Sequence, residues 1–154
     1  MESQNTVSQG CWTYKDIEAV YDKKLIDLIF EAACVHRKNF DPHKVQVSSL
    51  ISVKTGGCQE DCHYCPQAAR YNTGVGRQKM LTLEDVIEMS KRAKEQGSSR
   101  VCLGAAWRKV EDNKQFDNVV KMVETVSSMG LEVCCTLGML KGHQADRLKE
   151  AGLY

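Results

Sequence analysis

No stretch of the chain approaches the roughly 18 consecutive apolar residues of a membrane-spanning helix, and Met1 to Gly10 is polar, with no apolar run of the kind that opens a secretory signal. An excess of one charge is missing too. Against 20 acidic residues stand 21 basic ones, a net charge of +1, which argues against a nucleic-acid or anionic-membrane surface. The pairs Lys23-Lys24, Arg37-Lys38 and Arg108-Lys109 read as solvated faces. There is no low-complexity tract and no lipidation signal. These absences lead us to expect a soluble, cytoplasmic protein with neither nucleic acid nor membrane among its partners. The 154 residues, 42% apolar and 27% charged, suffice for one ordinary domain with a core.

Cysteine, by contrast, is plentiful. Eight cysteines without a secretory leader imply reduced thiols rather than a disulfide scaffold. Three of them, Cys58, Cys62 and Cys65, stand in Lys54-Thr55-Gly56-Gly57-Cys58-Gln59-Glu60-Asp61-Cys62-His63-Tyr64-Cys65-Pro66-Gln67. On a loop loosened by Gly56-Gly57, thiolates at this spacing can turn together onto one soft metal centre. Three ligands are one short of four. An iron-sulfur cube held by three cysteines keeps one iron open to a small molecule, whereas a structural zinc site closes with a fourth protein ligand, for which His63 or a distant cysteine could serve. A redox-labile or purely structural triplet is the other reading.

The rest of the chain alternates helix and strand. Residues 1–11 read as a flexible tail. Thr13 caps a helix with Asp16 at its third position, and Ile17, Val20 and Tyr21 share a face. A second helix carries Leu25, Leu28, Ile29, Ala32 and Val35 and ends before Asp41-Pro42, with Cys34 and His36 expected to pack within or beside that stripe. Val45 to Val53 reads as a strand with Val45, Val47, Ile51 and Val53 on one face. Gly74-Val75-Gly76 is only a turn, since a lone Gly-x-Gly lacks the rest of a dinucleotide fingerprint. Thr82 and Asp85 open a third helix that runs to Gly97. A buried strand follows over Val101 to Ala106, then a helix on Phe116, Val119, Val120, Val123 and Val126, a strand over Leu131 to Leu137, and a helix over His143 to Ala151. This order is that of a β/α barrel or a doubly wound sheet, and the pattern fits both.

Alternation singles out two more thiols. Val101, Leu103 and Ala105 would face the outer helices and leave Cys102 and Gly104 on the opposite face. Val133, Cys135 and Leu137 would do the same and leave Cys134 and Thr136 there. Cysteines on neighbouring parallel strands, roughly 5 Å apart, could both reach one cluster. Two buried core cysteines are the plainer reading of the same residues.

The triplet with Tyr64 before its last cysteine resembles the radical S-adenosylmethionine (SAM) superfamily. Its flanks, Lys54-Thr55-Gly56, Glu60-Asp61, Pro66-Gln67 and Arg70-Tyr71, are similar to the biotin synthase family from about Trp12 to the last residue. The resemblance implies a (β/α)8 barrel of TIM type, with a helical lead-in over 12–42 and the first three β/α units over 43–154. It implies a 4Fe-4S cluster on Cys58, Cys62 and Cys65 whose open iron is chelated by SAM, and a 2Fe-2S cluster to which Cys102 and Cys134 contribute. It places Tyr64 beside the adenine, with plain packing as the alternative, and Ala105 against the methionine part of SAM.

The chemistry so implied is reductive cleavage of SAM, hydrogen abstraction from two carbons of dethiobiotin and insertion of a sulfur from the 2Fe-2S cluster to give biotin. The implied partners are dethiobiotin, SAM, a reducing electron donor and a second copy of the chain in a homodimer. A whole barrel takes about 200 residues or more, so the chain is expected to be an N-terminal piece, with exposed sheet edges, able to load the first cluster but not to make biotin. Another radical SAM barrel enzyme and a zinc-binding structural or interaction module are the competing functions.

Overall fold

The structure, a computed structural model, describes residues 11–154; all of the expected tail except Cys11 lies outside the described residues. The chain divides into a unit ending at Val45 and a second unit, Gln46–Tyr154.

The first unit holds two helices, α1 (Tyr14–Tyr21) and α2 (Leu25–Asn39). Thr13 caps α1 as its sequence predicts: its hydroxyl accepts from the Asp16 amide at 3.3 Å, and the Thr13 amide donates to the Asp16 carboxylate at 2.8 Å. Neither helix carries a buried residue. The expectation that Cys34 and His36 pack therefore fails: both are exposed, and the His36 ring stacks on Phe40 with centroids 5.7 Å apart. A stripe at helical spacing becomes a core only where another element covers it.

The second unit is a parallel sheet of three strands in the order β1-β2-β3, namely β1 (Ser48–Lys54), β2 (Arg100–Ala105) and β3 (Glu132–Thr136), with α3 (Leu83–Glu95), α4 (Lys114–Ser128) and α5 (Gly142–Glu150) following them in turn. This is a mixed α/β fold with an open parallel sheet, consistent with part of a radical SAM barrel. Strand β1 begins three residues later than its valines suggest. β2 starts only at Arg100, which pairs with Ser48, and a strand cannot extend its ladder past its neighbour. Val47 still accepts from the amides of Ser99 and Arg100, at 3.0 and 3.2 Å, while Val45 stays exposed.

One face of the sheet is closed. Ile51, Val53, Val101, Leu103 and Val133 pack with Val86, Phe116, Val119, Val123 and Leu148 into a single core. The helices show why they sit there. Thr82 and Asp85 form a reciprocal cap at the start of α3, and Asn113 accepts from the amides of Gln115 and Phe116 at the start of α4. The other face stays open, with Leu50 70% exposed at its centre. Each edge is partly covered. Leu81 donates to Val53 and Gln78 to Thr55, both at 2.9 Å, along β1, and Leu153 forms a parallel bridge to Val133 beside β3.

Candidate functional site

The site lies at the C-terminal end of β1, where active groups of β/α barrels gather. Beyond Lys54 the chain leaves the sheet through Gly56 and Gly57, both at positive φ, and runs back along the edge of β1 by Leu81. Gly56 is pinned on every side. Its amide donates to Gln67 Oε1 at 2.9 Å, its carbonyl accepts from Lys54 Nζ at 3.1 Å, and a Cβ on it would stand 2.4 Å from the Gly76 oxygen. No residue with a side chain fits.

The cysteine loop is closed by its own backbone. Cys58 donates to Gln67 and Ala69 donates to Cys58, at 3.0 and 2.8 Å, while Cys65 donates to Cys62 at 3.0 Å. Arg70 pairs with Asp61, and the Tyr71 hydroxyl donates to the same carboxylate at 2.7 Å, a bond that raises the Tyr71 phenol above its ordinary range. Arg108 pairs with Glu60 at 2.8 Å and so ties the loop to the segment after β2.

Cys58 and Cys65 are half-buried and Cys62 is exposed. The loop brings their backbones together but not their side chains: among the described residues no three His, Cys, Asp or Glu side chains stand close enough to hold one ion. In its chemistry the donor set nevertheless fits an iron-sulfur group, being three free thiols on one loop. His63, the nearest candidate for a fourth ligand to zinc, instead faces Tyr71, ring to ring at 6.0 Å. Tyr64 is 90% exposed, so it packs against nothing. Ala105 ends β2, half-buried.

Cys102 and Cys134 are partners in register, with Leu50 completing the row across the open face. Cys102 Sγ also lies 3.9 Å from the Thr136 hydroxyl. Burial, then the adjoining Cys102 thiol, push the Cys134 thiol up, partly offset by Arg100. Cys135 faces the other way and packs against the core, where burial pushes its thiol up to about 12. The alternation of the strand thus separates the two adjacent thiols as expected.

Sequence reasoning missed Lys54. After Val53 a lysine reads as the solvated end of a strand, yet Lys54 is only 7% exposed. Its Nζ donates to the carbonyls of Gly56 and Ala106, at 3.1 and 3.3 Å. Burial first, then the nearby Arg77, lower its pKa, which Cys58 opposes. The β1–β2 register slips between Ser52 and Lys54, an irregularity of the kind that re-aims a side chain near a working site. The one sequence signal was its place in Lys54-Thr55-Gly56. Beside it opens a cleft of about 300 Å3 whose lining includes Gly57, Gln59, Arg77, Trp107 and Arg108.

The family described as the Radical SAM superfamily matches residues 52–153. The chain is similar to a biotin synthase of Cytophaga hutchinsonii, 57% identical over 143 residues, which are 93% of this chain and 42% of that protein. Against a biotin synthase of Flavobacterium johnsoniae the identity is 59%, over 93% of this chain and 39% of that protein. With one from Schizosaccharomyces pombe it is 52%, over 92% and 39%. The chain therefore spans about two fifths of the length of these curated relatives.

Proposed function

This chain belongs to the radical SAM superfamily of enzymes, and on that premise we propose that it is part of a biotin synthase, which inserts sulfur into dethiobiotin to form biotin. The observation that carries the reading is the pairing of Cys102 with Cys134 in register on the open face of the sheet, in the unit that also holds the Cys58, Cys62 and Cys65 loop. The 51–59% identity to curated biotin synthases supports the same reading.

In this reading Cys58, Cys62 and Cys65 would hold a 4Fe-4S cluster that binds SAM. When bound, such a cluster would supply the electron for reductive cleavage of SAM. The chain's own residues do the positioning. The Gly56 cradle and the Asp61 and Glu60 ion pairs set the loop's shape. Tyr64 offers an uncovered ring to the adenine, and Ala105, small and at the end of β2, leaves room for the methionine part. Cys102 and Cys134 contribute to a 2Fe-2S cluster as the sulfur source. Dethiobiotin, a reducing electron donor and a second copy of the chain are the proposed partners, in the cytoplasm, with residues 12–42 as lead-in and 43–154 as three β/α units. We assign to this chain the capture of SAM at the first cluster, and the complete reaction to the whole protein.

Iron and acid-labile sulfide per chain after anaerobic reconstitution, with electron paramagnetic resonance of the reduced sample before and after SAM, test the first cluster. A reduced-cluster signal that changes on adding SAM is expected; bound zinc without iron or sulfide would refute it. Cys102→Ala and Cys134→Ala in the full-length protein test the second, since intact biotin formation would sink that assignment.

A further inference from the structure

The ammonium of Lys54 is buried at 7% exposure, and its partners are two neutral carbonyls. Among the described residues it makes no ion pair. Buried charges are costly unless an opposite charge meets them, and the hydrogen bonds to Gly56 and Ala106 solvate this one without neutralising it. Its position is specific. The two carbonyls belong to the root of the cysteine loop and to the turn after β2, and the Ala106 amide donates back to the Lys54 carbonyl at 2.8 Å. The β1–β2 register slips just before it, and its Nζ reaches the Gly56 carbonyl at the root of the loop. Arg77, whose stem lies against Gly57, lines the same cleft beside the loop, as do Arg108, Lys109 and one carboxylate, Glu111, which pairs with Lys109. No carboxylate of the loop takes up the Lys54 charge: Glu60 pairs with Arg108 and Asp61 with Arg70.

We infer that Lys54 is a positioning and electrostatic residue for the iron-sulfur centre, its fixed positive charge awaiting the negative charge of the cluster and its thiolates and easing the addition of one electron. The inference rests on the proposed cluster at Cys58, Cys62 and Cys65. The step concerned adds one electron from an external reductant to the cluster; no bond forms or breaks and no proton moves. Net charge, hydrogen bonding and exposure set the potentials of such clusters, and a unit charge acts more strongly in a buried setting than in water. A neutral side chain that keeps a hydrogen-bond donor separates charge from tethering.

The test is a dithionite-poised redox titration, followed by electron paramagnetic resonance, of the reconstituted wild type, Lys54→Gln and Lys54→Arg. Iron and sulfide per chain and circular dichroism are measured alongside. Lys54→Gln should keep its iron and fold but lose at least tenfold in the equilibrium constant for reduction, a shift of about 59 mV to more negative potential for one electron. Lys54→Arg should stay near the wild type. Equal potentials in the wild type and Lys54→Gln at equal iron content would overturn the inference and leave the cluster assignment standing. If both variants lose their fold or iron, Lys54 serves as a structural tether and the electrostatic role is likewise overturned. A wild type that takes up no iron would remove the cluster assignment and this inference with it.

Discussion

Alanine at Gly56 and at Gly74 makes a matched pair that isolates what holds the cysteine loop in place. The two glycines have nearly equal φ, 73° and 76°, so the backbone strain of a left-handed alanine, about 1–2 kcal/mol, is common to both and cancels. They differ in their surroundings. A Cβ at Gly74 meets nothing within 4 Å, whereas one at Gly56 meets the Gly76 oxygen at 2.4 Å, the Gly76 carbonyl carbon at 2.8 Å and Arg77 Cα at 3.1 Å. All three are backbone atoms and cannot rotate away, so the 72–78 segment must shift. Overpacking of this kind costs about 1–3 kcal/mol. The shift also draws Gly56 from Lys54 Nζ and Gln67 Oε1, whose bonds to it measure 3.1 and 2.9 Å. We expect Gly74→Ala to lose about 1–2 kcal/mol and Gly56→Ala to lose a further 1–3 kcal/mol or so. Urea unfolding followed by circular dichroism measures both. Gly56→Ala should also lower the iron bound per chain after reconstitution, and Gly74→Ala should not. Stabilities of the two variants within about 0.5 kcal/mol of each other, with equal iron, would refute the steric argument.

Phe116→Ala, at a wholly buried position, should cost about 3–5 kcal/mol in the same unfolding assay. Cys135→Ser places a hydroxyl against the core and should cost about 1–3 kcal/mol, while Cys134→Ser on the open face should stay within about 0.5 kcal/mol; equal costs would contradict the assigned faces. Thr82→Ala removes the cap of α3 and should cost about 1 kcal/mol at neutral pH. The Thr82 bonds hold the Asp85 carboxyl below its ordinary value of 3.8, so its ionised form is favoured in the folded state. That contribution is present above the ordinary value and is lost as pH falls through the lowered one. The stability gap between wild type and Asp85→Asn should accordingly close in acid, and a gap independent of pH would contradict it.

The caps, the elements and the two-residue period were legible in the sequence because they depend on neighbours within a turn or a strand. Thr13 with Asp16 and Thr82 with Asp85 close the reciprocal caps that their spacing predicts. The period placed Cys134, and not Cys135, beside Cys102. The spacing of the cysteine loop pointed to an iron-sulfur group, which the family match implies, but the loop does not bring the three thiols together. Other features depended on what the chain meets far along its length. Val45 falls outside β1 because β2 begins opposite Ser48, and Cys34 lies on an apolar stripe yet stays exposed, because a stripe records what a helix could bury and not what covers it. Lys54 shows the division most clearly. Its identity and its place before the loop are written in the sequence, but its burial needs the Ala106 carbonyl, 52 residues on, to approach its ammonium. Local periodicity specifies which way a side chain points, and only the packing of distant segments decides whether it points into water or into a buried, charged site.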